Sequence, residues 1–363
     1  MNLIHLETMN PIKLGVWGLG RIGAVHCQYF SAAREMYQLT AVCDQDRARV
    51  ESMAGEHGCA GYLDAADFLA DPDVELVIIA TRSLDHVAHA TRALAAGKRV
   101  LLEKPIAVTG DDLQKLRELD QEYPGMLFCG HNHRFEPAIE RIREVIASGI
   151  LGAVYLVKIR RHHNFRRRAD WQALLSCGGG QLSCWGPHLI DHALQFIKGP
   201  VRDIWSHLTR VNTPGDADDH FKIILVGENG VVVDAEASDA VALPDAYCAV
   251  YGNRGSLVCA DEKVLQLKYI DPGYVFTEIT ASAGLPPQTR GYGSEEAVPW
   301  LEKTVKVQPD TSMWEEVEIQ MARHLYRAIR GNTPFPVSNA EAMEVVRITE
   351  VMKRQNPQFK WNQ

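Results

Sequence analysis

The first third of the chain alternates short apolar runs with stretches of helical spacing. Ile12–Trp17 is an apolar run that ends at glycine, and residues 21–34 read as a helix. Residues 39–43 form a second run, followed by a helical stretch from 46 to about 57. Residues 74–80 (VELVIIA) are apolar almost throughout, as expected of a parallel strand buried on both faces. A helix over 84–96, closed by Gly97, a strand over 99–102, a helix over 109–122 with Thr109 as N-cap, and a strand over 126–129 complete the series. This alternation predicts an α/β fold with a doubly wound parallel sheet and right-handed crossovers.

Beyond about residue 150 the rhythm changes. Residues 153–161, 202–211, 221–226, 231–238, 246–251 and 256–260 read as strands. Several are joined by short turns, such as 228–230 and 252–255, which implies antiparallel pairing. One helix over 181–196 interrupts them, and two more follow at Met313–Arg330 and 340–354. Residues 271–309, rich in Gly and Pro, are expected to form a long surface excursion. A chain of 363 residues fits two domains, divided here into 1–132 and 133–363.

Composition narrows the function classes. Hydrophobic residues at 46% and charged residues at 23% are ordinary for a globular protein. A net charge of −8 argues against nucleic acid as the main partner, since phosphate binding needs a basic surface. The one basic cluster, Arg160, Arg161, Arg166, Arg167 and Arg168, reads as a site or interface feature. Eight scattered cysteines form no CxxC pair, so zinc-ribbon and thioredoxin-like readings fail and a reduced, cytoplasmic setting is expected. The first residues lack the charged and apolar regions of a secretion signal, and residues 1–8 read as a loose extension. No run of about 18 apolar residues appears, so no membrane partner is expected.

Gly18-Leu19-Gly20-Arg21-Ile22-Gly23 is a GxGxxG directly after a strand and opening a helix. Gly18 allows the tight turn, Gly20 lets the backbone approach a pyrophosphate, and Gly23 permits close helix–strand packing. The helix N-terminus then faces the phosphates. The alternative is a glycine turn in an ordinary α/β fold. Asp44 ends the second strand, 21 residues after Gly23, where a carboxylate grips ribose hydroxyls and repels a 2′-phosphate. NAD is therefore favoured, while Arg47 and Arg49 keep NADP open, and Asp44 as a helix N-cap is a compatible reading. Thr81 and Arg82 follow the third strand and should line the ligand crevice. His86 and His89 read mostly as surface or packing residues, with His86 kept among the candidate cofactor contacts.

Glu103-Lys104-Pro105, together with that fingerprint, resembles the Gfo/Idh/MocA family of oxidoreductases. Gly178-Gly179-Gly180, Gly186, His188 and Asp191 resemble its GGGxxxDxGxHxxD segment. Gly130, Asn132, Arg134, Phe135 and Pro137 resemble its strand-exit motif, and residues 252–257 a turn of its second domain. The resemblance spans nearly the whole chain. It implies an N-terminal Rossmann domain that binds NAD(P), and a C-terminal α+β domain that binds substrate. The open, mostly antiparallel sheet of that second domain would join a homodimer or homotetramer. It implies a carbohydrate-like substrate, and it carries onto Lys104 contact with the reacting oxygen, onto His188 the acid/base role and onto Asp191 substrate binding or support. Leu19, Arg21, Ile22, Glu103, Lys104 and Asn132 join the cofactor set. Arg134, His162, Arg168, Trp171 and Cys184 join the substrate set.

The residue chemistry agrees. Hydride transfer from an alcohol needs an acceptor for the hydroxyl proton and benefits from a cation beside the developing alkoxide. Positions 184, 188 and 191 share one helix face. The sequence departs from the family pattern at Cys184, where an aspartate is usual. Another acid substitutes, or the segment defines a branch with a different substrate, or catalysis is weakened. Cys184 does not read as a redox nucleophile, because no neighbouring cation in sequence would activate it. The segment 162–171 (HHNFRRRADW) suits a polyhydroxylated ligand or, alternatively, a subunit contact. Adjacent His162 and His163 on a strand point to opposite faces, so no metal site is expected. The main expectation is an NAD-dependent dehydrogenase acting on a secondary alcohol of a sugar, glycoside or cyclitol, with C3 of a pyranoside one candidate position. The alternatives are a redox-neutral glycoside-cleaving enzyme with bound NAD and a non-catalytic dinucleotide-binding regulator.

Overall fold

Strands that are apolar on both faces need cover on both faces, and the first sheet has it. In the computed structural model, residues 10–281, 283–285, 296–308 and 312–359 are described, so the expected N-terminal extension lies outside the described residues. Strands β1 (Ile12–Trp17), β2 (Tyr37–Cys43), β3 (Ala60–Tyr62), β4 (Leu76–Ile79), β5 (Arg99–Glu103) and β6 (Leu127–Gly130) pair in the order β3-β2-β1-β4-β5-β6, all parallel. The intervening helices are α1 (Arg21–Ala32), α2 (Arg47–His57), α3 (Ala65–Ala70), α4 (His86–Ala95) and α5 (Gly110–Glu122). Each start has a local cause. Asp46 caps α2 through the Ala48 and Arg49 amides, and Thr109 and Asp112 form a reciprocal capping box at α5. The strand order reverses beside β1, which opens a crevice at the carboxyl ends of β1 and β4.

Helix α6 (Pro137–Ala147) leads into the second layer. Its strands β7 (Val154–His162), β8 (Val201–Thr209), β9 (His220–Gly227), β10 (Val232–Ser238), β11 (Cys248–Gly252), β12 (Gly255–Cys259), β13 (Val264–Ile270) and β14 (Trp300–Lys306) pair in the order β14-β13-β12-β11-β7-β10-β9-β8. All pairs are antiparallel except β7 with β10. The short helix α7 (Gln181–Cys184) and α8 (Gly186–Ile197) cross between β7 and β8. The chain ends in α9 (Met313–Arg330) and α10 (Asn339–Gln355).

One face of this sheet is the second core, with Ile159, Ile223, Ala235, Cys248 and Leu265 packed beneath α8 and α10. The opposite face carries half-buried Leu156, Ile224 and Val258 and exposed Trp205. Helix α10 serves both cores, its Ile348 and Met352 packing into the second, while α9 packs into the first. Met321 and Leu325 of α9 and Met343 of α10 pack into the first, and the Tyr37 hydroxyl donates to the Ala322 carbonyl at 2.7 Å.

Three expectations change. The single helix over 181–196 is two helices divided at Trp185, because Pro187 has no N–H to continue the hydrogen-bond ladder and begins a new first turn. The excursion over 271–309 contains β14, an edge strand with one buried side chain and hence no apolar alternation to betray it. Strands β3 and β13 and helices α3 and α6 go beyond the elements expected from the sequence.

Candidate active site

The turn between β1 and α1 follows from its three glycines. Gly18 has φ +97°, and a Cβ there would lie 2.7 Å from the Ala80 carbonyl. A Cβ on Gly23 would lie 1.8 Å from the Gly18 carbonyl oxygen, so the helix can approach the strand only without one. A Cβ on Gly20 would meet nothing within 4 Å, since that position faces the open crevice. No side chain caps α1 and no acid sits in its first turn, which suits a phosphate there. Asp44 accepts the Leu19 amide through Oδ2 at 2.6 Å and the Asp46 amide through Oδ1 at 2.9 Å. The carboxylate is thereby fixed at the end of β2, where a ribose diol would reach it. These residues fit a dinucleotide.

The crevice has a volume of about 740 Å³ and two walls. Gly18, Gly20, Arg21, Ile22, Asp44, Thr81, Arg82, His86, Glu103 and Lys104 line the first. Arg168, Trp171, Gly178–Gly180 and Cys184 line the second. His86 joins two loops, its Nδ1 2.9 Å from the Pro105 carbonyl and its Nε2 3.2 Å from the Thr81 carbonyl. His89, read as packing, also reaches the crevice, stacked on Trp17 at 4.0 Å.

Lys104 joins the two walls. It follows the end of β5, and its Nζ donates to the Cys184 carbonyl at 3.2 Å. Its neighbour Glu103 is buried and held by His26 of α1, with Nε2–Oε1 at 2.9 Å. The other nitrogen of His26 lies 3.0 Å from Glu318 of α9, which accepts the Asn132 side-chain amide at 2.8 Å. Burial alone would depress the His26 pKa, but the two carboxylates outweigh it and raise the value to about 10. This charged bridge lay beyond the sequence reading. His26 three residues after Gly23 places it on the inner face of α1, but nothing local marks Glu318 as its partner.

The structure does not bring every expected contact to the crevice. Arg134 forms a buried ion pair with Asp191 and donates to Glu341 at 2.8 Å, so both it and Asp191 support the site from behind. Asn132 is committed to Glu318. His162 pairs with Glu236 at 3.1 Å on the sheet face opposite Arg161, because alternate strand residues face opposite ways. His188 is 3% exposed, behind the crevice lining, with its ring centroid 4.0 Å from that of His133. Burial, reinforced by the neighbouring His133 and Lys104, holds its pKa well below the ordinary histidine value. Its Nδ1 has no hydrogen-bond partner among the described residues. Of positions 184, 188 and 191, only Cys184 lines the crevice, while His188 and Asp191 are buried behind it. Cys184 does have a cation beside it, from a residue remote in sequence, since Arg168 Nη1 lies 3.9 Å from its sulfur.

Residues 12–131 match a family described as an oxidoreductase family with an NAD-binding Rossmann fold, and residues 139–258 match the GFO/IDH/MocA C-terminal domain. The 1-carboxy-3-chloro-3,4-dihydroxycyclohexa-1,5-diene dehydrogenase of Comamonas testosteroni is 30% identical over 62% of this chain and 58% of its own. The D-glucoside 3-dehydrogenase of Escherichia coli is 28% identical over 55% of this chain and 58% of its own. The matched region thus spans under two thirds of either relative's length. A levoglucosan dehydrogenase solved with NADH and levoglucosan shares the fold, with TM-score 0.78 at 18% identity over 97% of this chain and 99% of that one. Since the two domain matches follow in order and together take in most of the sequence, the chain belongs to the Gfo/Idh/MocA family of NAD-binding oxidoreductases.

Proposed function

We propose that this protein interconverts a secondary alcohol and a ketone on a polyhydroxylated ring, with NAD as the hydride carrier. The observation that carries the reading is the position of Lys104, at the end of the dinucleotide crevice and bonded to the opposite wall through the Cys184 carbonyl. An ammonium there stabilises the alkoxide that develops as the carbinol hydrogen leaves. The nicotinamide, when bound, takes that hydrogen as hydride. We assign the hydroxyl proton to His188, whose Nδ1 is open; because burial behind the lining also makes it a weak base, it passes that proton on rather than holding it. The sum is alcohol and NAD going to ketone, NADH and one proton. Glu103, fixed by His26, holds the backbone that presents Lys104. The relatives named for a glucoside and for a dihydroxylated carbocycle support a ring substrate. The open face of the second sheet, with Trp205 at 52% exposure, supports assembly of two or four copies.

The purified protein, supplied with NAD and a panel of sugars, glycosides and cyclitols, is expected to form NADH and a ring ketone in equal amounts. Free sugar released without net NADH would instead favour a redox-neutral cleavage. Absence of turnover across the panel would overturn the proposal.

A further inference from the structure

Arginines in this protein are as a rule neutralised where they are buried. Arg134 meets Asp191 and Glu341, Arg160 meets Asp234, and Arg161 meets Glu136 and Glu262. Arg166, less buried, meets Asp239 at 2.9 Å. The substrate side of the crevice breaks this rule. Lys104 donates to a neutral carbonyl and has no carboxylate within ion-pair distance among the described residues. The carboxylate of its neighbour Glu103 is taken by His26. Arg168 has one carboxylate, half-exposed Asp170 at 3.3 Å, and turns its other terminal nitrogen to the Cys184 sulfur at 3.9 Å. Two cations therefore meet at Cys184, Lys104 at its carbonyl and Arg168 at its sulfur, and the one carboxylate that reaches either of them, Asp170, is half exposed.

A thiol is a weak hydrogen-bond acceptor and gives a guanidinium little in place of water. A cation in a walled crevice whose partners are a thiol and one half-exposed carboxylate favours an anion from outside. The dinucleotide phosphates do not meet this need, because they belong at the free N-terminus of α1, on the opposite wall. Trp171 and Gln172 on the Arg168 side provide a flat apolar face and an amide, fitting a ring that bears both hydroxyls and a charge.

We propose that the substrate carries an anionic substituent, and that Arg168 binds it while Lys104 faces the reacting carbinol. Cys184 is then the residue that sets this preference. A carboxylate in its place would neutralise Arg168 and turn the site toward uncharged rings. The inference rests on the proposed alcohol oxidation.

The test compares kcat/KM of the NAD-loaded protein for matched neutral sugars, uronic acids and sugar phosphates. The expected result is at least a tenfold preference for one anionic series over its neutral parent. Arg168→Gln should remove that preference through KM, and Arg168→Lys should restore part of it. Cys184→Asp, which keeps the arginine and tests the idea if Arg168→Gln fails to fold, should favour the neutral series. The two anionic arms distinguish a carboxylate from a phosphate. Equal or better use of neutral rings, or a preference unchanged in Arg168→Gln or Cys184→Asp, overturns this inference and leaves the alcohol oxidation standing. No oxidation of any ring alcohol overturns both.

Discussion

Asp44 carries the choice of cofactor at the scale of a single residue. Both carboxylate oxygens are anchored by backbone amides, of Leu19 and Asp46, so the group cannot swing away from a 2′-phosphate. Arg49 approaches it only at 4.0 Å and is largely exposed, too weak a counter-charge to cancel the repulsion. Asp44→Ala is therefore expected to raise the NADP-to-NAD ratio of kcat/KM by at least about tenfold, or about 1.4 kcal/mol. An unchanged ratio would show that specificity lies elsewhere. The placement of Gly18, Gly20, Gly23, Asp44 and Lys104 was legible because each answers a local demand, either a backbone angle or the end of a strand. Arg134, Asn132, His162 and Asp191 were not, because spacing gives a face but not a depth. Their polar groups turn out to be engaged by Asp191, Glu318, Glu236 and Arg134 from distant parts of the chain. Cys184 is the reverse case. Its departure from the family pattern was plain, yet the cation that gives it meaning stands 16 residues away.

Among the elements, α1, β5 and α9 meet at His26, whose imidazole lies between Glu103 and Glu318. The folded-state pKa, about 10, lies above the ordinary histidine value of 6.5. Its contribution to stability is therefore fully present below about pH 6.5 and is lost as pH rises through about 10. The melting temperature should decline across that window, and His26→Gln should have a lower melting temperature at neutral pH with a flatter decline. A parallel decline in the two proteins would remove His26 from the explanation. The βα alternation was readable because both-face burial makes strands continuously apolar and glycines close α2 and α4. Edge strand β14 was not, since exposed Trp300 and the charged residues after it mimic a loop. The break at Trp185 was also hidden. Helical spacing continues through it, and only Pro187 hints at a new start.

The whole molecule is two sheets whose cores share α10, with the crevice where the first sheet meets the glycine run of the second domain. The two-layer division was legible from the change of strand rhythm. The return of α9 and α10 onto the first core was not, because amphipathic helices record that they pack but not against what. An uncovered sheet face with Trp205 at its edge is expected to join copies of the chain. Light scattering should report a dimer or tetramer, and Trp205→Asp should shift it toward smaller species, whereas a monomeric wild type would refute that assembly. The account as a whole depends on Lys104 serving the reacting oxygen while leaving cofactor binding to the glycine turn and Asp44. The most direct measurement is NADH formed per turnover of a ring alcohol by the wild type and Lys104→Ala, alongside NAD affinity for each. The account predicts a fall in kcat of about 10²–10³-fold with NAD affinity little changed. A variant that turns over as fast as the wild type, or one whose loss is entirely in NAD binding, would contradict it.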